Sequence, residues 1–266
     1  MALGNALYKQ GKFDEAQAEM REVLAIRERT LGAAHPDTFS LRSNLALILS
    51  QNGKYAESEA EYRSLLKAQI AALGAEHPNT LTLRSNLGTV LKEAGKHEAA
   101  EAEFRTATDI MTRVLGPEHP HTLTSRSNLA LALRGRKMNA PAAAEYRAIL
   151  QIRERLNGPE HPDTLAVRTN LAMTTYEAGR AREAEAEMRS IIDVRVKSQG
   201  TDHPDVLFAC RNLAQMLANG RQFKDALQYA RWAAEGRKRT QGANHPATKD
   251  AEELLAKIER ASGSRR

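Results

Sequence analysis

A chain of 266 residues with 41% hydrophobic and 27% charged side chains has the makeup of a folded soluble protein, which excludes a disordered one. No apolar run approaches the roughly 20 residues that a membrane span needs, so no membrane role is expected. The single cysteine, Cys210, excludes an internal disulfide, and with no basic-then-apolar leader after Met1 the expected location is cytoplasmic.

The chain then repeats itself. A His-Pro pair stands at His35, His77, His119, His161, His203 and His245, and an Asn-Leu pair at Asn44, Asn86, Asn128, Asn170 and Asn212, each 42 residues from the last. A constant period of this size predicts a solenoid, in which each unit buries its apolar face only against its neighbours. Residues 1–34 form a partial first unit. There Gly11-Lys12-Phe13 matches Gly53-Lys54-Tyr55 one period on, and the Asn position falls at Ala2, so the chain is expected to open partway through a helix. With no polar end unit before it, this end reads as part of a longer protein, or as a surface of Leu3, Leu7 and Phe13 through which the chain self-associates.

Full units begin near residues 35, 77, 119, 161 and 203, and each reads as two helices. The first starts at the His-Pro pair, because proline suits the first helical position, where its missing N–H would be unpaired anyway. Asp37, Asp163 and Asp205 add negative charge at the positive end of the helix dipole. Leu83, Leu87, Val90 and Leu91 follow at helical spacing, and Gly53, Gly95 and Gly179 stop the helix. The second helix has an acidic-alanine start, as at Glu98, an apolar series Phe104, Ala107, Ile110, Met111 and Leu115, and a closing Leu-Gly. Two units depart from the pattern: Gly135 lies two residues before the expected turn at Lys137, and Gly220 falls one residue early. Residues 245–260 read as a capping helix and 261–266 as a disordered tail, which gives one solenoid over 1–260.

Residues 221–266 hold 11 basic and 6 acidic side chains, most of the net charge of +6. A solvated end explains this better than nucleic-acid binding, since 5% aromatic content leaves few platforms for base stacking.

The pattern L-G-x-x-H-P-x-T-L-x-x-R-x-N-L-A followed by G-K-x-x-E-A-E resembles the tetratricopeptide repeat (TPR) in its 42-residue form, found in kinesin light chain and in many bacterial proteins. Leu87, Gly88, Gly95, Ala100, Phe104 and Ala107 carry the core TPR marks. The resemblance implies an all-α, right-handed superhelical solenoid of antiparallel helix pairs. It further implies a protein–protein interaction scaffold that binds a peptide or partner helix in its concave groove. The alternative it leaves open is a self-assembly or sensor segment of a bacterial signalling NTPase-type protein; no G-x-x-x-x-G-K-[ST] loop lies in this chain. Kinesin light chain has leucine where Arg42, Arg84, Arg126 and Arg168 stand, so its cargo preferences do not carry over.

By this resemblance the asparagines Asn44, Asn86, Asn128, Asn170 and Asn212 face the concave groove, where an amide both donates to and accepts from a peptide backbone. The alternative is an asparagine that caps or bridges repeats internally. Around them the groove set comprises Ser43, Ser85, Ser127, Thr169 and Arg211, then Leu47, Thr89, Leu131, Met173 and Gln215, then Ser50, Lys92, Arg134 and Tyr176. Polar groups there suit a peptide backbone, apolar ones a few anchors, and Lys92, Arg134 and Arg211 an acidic group. The arginine column, Arg42, Arg84, Arg126 and Arg168, is expected to pair with a carboxylate or helix-end carbonyls of an adjoining helix. Each turn histidine lies a repeat from the next, about 10 Å by helix packing, too far to share an ion through bonds of about 2 Å. No metal, cofactor or catalytic residue is expected.

Overall fold

The computed structural model of the chain describes residues 2–33 and 35–263. Among them the regular structure is thirteen α-helices with no strand. They fall into two compact units that divide between Met138 and Asn139, where the repeat pattern implies one body over 1–260. The first unit holds α1 (Ala2–Lys9), α2 (Phe13–Leu31), α3 (Pro36–Gln51), α4 (Tyr55–Leu73), α5 (Pro78–Glu93), α6 (His97–Leu115) and α7 (Pro120–Gly135). The second holds α8 (Asn139–Asn157), α9 (Pro162–Glu177), α10 (Ala181–Gln199), α11 (Pro204–Asn219), α12 (Phe223–Gln241) and α13 (Pro246–Gly263). The expected cap therefore runs on to Gly263, three residues past the predicted end, and residues 264–266 of the expected tail lie outside the described residues.

Each His-Pro pair starts a helix for a reason that proline alone does not supply. The histidine is the N-cap: its Nδ1 accepts the backbone N–H two residues on, at 3.2 Å in all six cases. The first helical amides have no partner within the helix, so an acceptor side chain is needed, and proline next to it removes one of those amides outright. The imidazole must be unprotonated at Nδ1 to do this.

Neighbouring helices run antiparallel. Ser58 Oγ on α4 donates to the Ala46 carbonyl at 2.6 Å, and farther along α4 Tyr62 Oη donates to the Ser43 carbonyl at 3.2 Å. The sequence positions thus advance on one helix as they retreat on the other. In the next repeat Gly88 supplies the space for the Phe104 ring: a Cβ on that glycine would come within 2.8 Å of Phe104 Cε1. Arginines of the column clamp the pair by reaching the glutamate nineteen residues on. Arg42 donates to Glu61 at 2.5 Å, Arg84 to Glu103 at 2.6 Å and Arg168 to Glu187 at 2.7 Å.

The core is a ladder of such contacts. Leu41, Leu65, Leu87, Leu91 and Phe104 are buried in the first unit. In the second, Met188, Cys210, Leu213, Leu217 and Ala230 join one cluster, which Ala251, Leu254 and Ile258 of α13 extend. Burial pushes the Cys210 thiol up to about 12, so it stays protonated and unreactive.

Candidate interaction groove

The asparagine column sits at the middle of each first helix, nine residues after its capping histidine. Asn44, Asn86, Asn128 and Asn170 are half-buried. No side-chain amide of these four makes a hydrogen bond within the protein among the described residues. An amide that bridged repeats would show such bonds. Asn212 differs: it is 4% exposed with its Nδ2 buried and unpaired, which takes it out of the ligand-facing set. Its neighbours on α11, Cys210, Leu213 and Leu217, are buried in the core cluster of the second unit.

Around Asn44 the surface forms a cleft of about 450 Å³ between α3, the end of α4 and the start of α5. Phe39, Ser40, Ser43, Asn44, Gln69, Leu73 and Thr82 line it. Apolar walls with a few polar groups are the usual makeup of a ligand cleft. Leu47, one turn beyond Asn44, is exposed at 41%.

The remaining expected positions divide. Ser85, Thr89, Ser127, Leu131, Met173 and Tyr176 are half-buried. Ser85 Oγ and Thr89 Oγ1 each donate to the carbonyl one turn back, at 3.0 and 3.1 Å, which leaves each oxygen only an acceptor's role. Met173 and Tyr176 lie against the core of the second unit. Thr169 is 3% exposed and its hydroxyl donates to Leu165, so it is a core residue and not a groove residue. Arg211 is half-buried and not free: Asp250 of α13 holds it through both carboxylate oxygens at 2.8 and 2.9 Å. Ser50 is buried and donates to Glu93 of the next repeat at 2.6 Å.

Lys92 remains as an ammonium with no hydrogen bond or ion pair among the described residues. Burial lowers its pKa from the usual range, Glu93 opposes that shift, and the charge of Arg134 reinforces it. Lys92 thus feels Glu93 more strongly than it feels Arg134, one period on.

Sequence reasoning missed a second arginine column, on the second helices. Arg27 Nη1 donates to the Asp37 carbonyl at 2.9 Å and Arg195 Nη1 to the Asp205 carbonyl at 2.9 Å. Arg153, itself buried, pairs with the Asp163 carboxylate. In each case the partner stands ten residues on, at the second helical position of the next first helix. Comparison of residues ten apart across the repeats reveals it, because Arg with Asp recurs while Gln69 faces Asn79 and Met111 faces His121.

Family models for the tetratricopeptide repeat match residues 1–63, 37–112, 84–147 and 142–195 in one form and 209–247 in another. Curated proteins give no sequence match. Solved structures do. A Podosopora anserina protein assigned to kinesin light chain, with nearly identical TPR-like repeats (Q17M form), is 25% identical with a TM-score of 0.65, over 74% of this chain and 93% of that one. BtubC (BKLC) from P. vanneervenii is 17% identical with a TM-score of 0.56, over 97% of this chain and 91% of that one. A Rap protein complexed with Competence and Sporulation Factor shares the fold at 10% identity and a TM-score of 0.65, over 100% and 86%. Since the family matches run from residue 1 to 195 and again over 209–247, this chain belongs to the tetratricopeptide repeat family, whose arrays are non-catalytic scaffolds for protein–protein interaction.

Proposed function

We propose that each of the two units binds an extended segment of a partner protein along the first-helix face of its own repeats, with the asparagine amides holding the backbone of that segment. One observation carries this reading: the amides of Asn44, Asn86, Asn128 and Asn170 are half-buried yet unused inside the protein. Asparagine is a mediocre helix former, so four such positions at mid-helix need a use, and a peptide N–H and C=O supply one. The cleft beside Asn44, with Phe39 and Leu73, offers an apolar anchor point. Lys92, with no hydrogen bond or ion pair of its own among the described residues, suits an acidic group farther along the same face.

The test begins with a peptide selected by display against the wild-type chain. Asn86→Ala with Asn128→Ala should weaken that peptide at least about tenfold, since an unpaired buried backbone group costs about 1–3 kcal/mol and about 1.4 kcal/mol is a decade in affinity. Lys92→Glu should weaken an acidic peptide further, and that part should fade with salt. If the double variant melts early while the folded fraction binds as well as wild type, the asparagines serve the fold and the reading fails.

Leu3 favours a second reading. It is exposed at 56%, whereas Leu7 and Phe13 pack against the core around Met20 and Leu41. Self-association through α1 would then rest on Leu3, and light scattering across dilution, compared with Leu3→Glu, tests it.

A further inference from the structure

The second arginine column ends on a cation without its carboxylate. Arg27, Arg153 and Arg195 each face an aspartate ten residues on, but the residue ten beyond Arg237 is Ala247. Arg237 makes no hydrogen bond or ion pair among the described residues, and its Nε is buried without a partner. The one carboxylate whose charge it feels, Asp250, is already gripped by Arg211. Two guanidinium groups thus share one carboxylate. Burial, and then the Arg237 charge, push the pKa of the neighbouring His245 below the usual imidazole range. The Oε1 of Gln241, one turn along α12, is likewise buried and unpaired.

Phe208, Arg211 and Arg237 are the repeat counterparts of residues that line the cleft beside Asn44, four repeats earlier. Arg237 stands where Gln69 stands, Arg211 where Ser43 does, and Phe208 where Ser40 does, each offset by 168 residues (four periods of 42). Phe208 is 47% exposed. We infer that the surface around Arg237, Arg211 and Phe208 takes the carboxylate of an aspartate or glutamate side chain from a partner protein, bound on Arg237 and flanked by an apolar side chain on Phe208. This inference deepens the groove reading and rests on it for the premise that this face of the repeats meets a partner.

The occupant follows from the internal pattern. Where the column is complete, the residue set against the arginine is an aspartate: its main-chain carbonyl accepts from Arg27 and Arg195, its carboxylate pairs with Arg153, and the Asp205 charge also acts on Arg195. A guanidinium presents a planar fork that a carboxylate matches in two bonds. An exposed phenylalanine beside it has no use for a free inorganic anion, but it suits the side chain next to an acidic residue in a peptide. Supplying the missing group from another chain completes the pair that Ala247 leaves open.

The probe is acetyl-Leu-Asp-Leu-amide, with acetyl-Leu-Asn-Leu-amide as its uncharged isostere. In NMR titrations of the full chain, the Arg237 and Arg211 Nε–Hε signals should shift saturably with the aspartyl peptide. The asparaginyl peptide should bind at least about tenfold more weakly, as expected for loss of a charge-assisted bond. Two variants decide the matter, and both copy residues that other repeats already carry at these positions. Arg237→Gln should abolish the shift at Arg211. Ala247→Asp should raise the melting temperature by pairing Arg237 internally, and should at the same time weaken the aspartyl peptide at least about tenfold. Equal binding of the two peptides, undiminished binding to Ala247→Asp, or saturation by inorganic phosphate as readily as by the aspartyl peptide would each overturn the inference. The readout for the probe is the pair of arginine signals and not the asparagines. Sensitivity of a selected peptide to Asn86→Ala with Asn128→Ala therefore reports on the groove reading, and the tripeptide pair reports on Arg237.

Discussion

At the scale of single residues, the repeat is kept by side chains whose geometry leaves little choice, and its departures mark local strain. In the turn after the first helix, Gly53, Gly95 and Gly179 have positive φ, and Lys137 and Arg221 adopt the same region, with φ of 64° and 59°. A side chain there brings Cβ against the following carbonyl oxygen, a strain of roughly 1–2 kcal/mol that glycine escapes. Lys137→Gly and Arg221→Gly should therefore each stabilise the chain by up to about 1 kcal/mol, once the larger unfolded-state entropy of glycine is set against the relief. Urea unfolding of each variant measures this; an equal or lower midpoint would show the turn to be unstrained. Gly135, which by sequence looks like a turn glycine out of place, has another cause. It ends α7 against the start of α6, and a Cβ on it would come within 2.5 Å of His97 Nδ1. Sequence spacing exposes such a glycine but not its neighbour, because the contact joins residues 38 apart whose pairing depends on how two helices lean together.

At the scale of the helix, the histidine caps explain why boundaries were legible and partners were not. The first helices begin at proline after His35, His77, His119, His161, His203 and His245, where the motif places them. Six copies of one start signal leave no ambiguity, and the core leucines follow from the 3.6-residue period. The reach of Arg42 or Arg84 to a second-helix glutamate was foreseen as a type of contact. The second column of Arg27, Arg153, Arg195 and Arg237 was not, since Gln69 and Met111 interrupt it. Likewise burial of Asn212 and Thr169 depends on neighbouring side-chain volume, which the position in the repeat does not encode. The caps lead to two measurements. His77→Ala removes the acceptor for the Asn79 amide and should cost about 1 kcal/mol, read as a lower urea midpoint, whereas His77→Asn should recover most of it. Acid should also act through His245. Its folded pKa lies below the ordinary value of 6.5, because burial and then Arg237 disfavour the charged form. The neutral imidazole is thus preferred in the folded state. Its contribution is fully present above the ordinary value and is lost as pH falls through the depressed one. Arg237→Gln removes one of the two causes, so the loss of melting temperature between pH 7.5 and 5 should be smaller in that variant than in wild type. An equal loss in both would mean that the charge of Arg237 does not reach the imidazole.

At the scale of the whole molecule, stability in a repeat array is approximately a sum of units and the interfaces between neighbours. An interior helix is therefore held from both sides and a terminal one from a single side. In the first unit α5 packs on α3, α4, α6 and α7, whereas in the second unit α13 packs on α11 and α12. Leu87 of α5 has no exposed surface, and Leu254 of α13 is 5% exposed. Removing three carbons from either leaves a cavity, and the general range for such a change is about 2–5 kcal/mol, the larger values belonging to sites that cannot collapse. Leu87 lies between helices fixed by their own neighbours, so Leu87→Ala should fall near the upper end. Around Leu254 the free side of α13 lets the helix shift inward, so Leu254→Ala should fall near the lower end. The same asymmetry predicts the order of local opening. Amides of α13 should exchange with solvent through fluctuations that release one helix, and those of α5 only through fluctuations that release several. Hydrogen exchange resolved by helix, run on wild type and on both variants, checks the two statements together. Slower exchange in α13 than in α5, or a larger loss from Leu254→Ala than from Leu87→Ala, would mean that the last helix is held by contacts beyond α11 and α12.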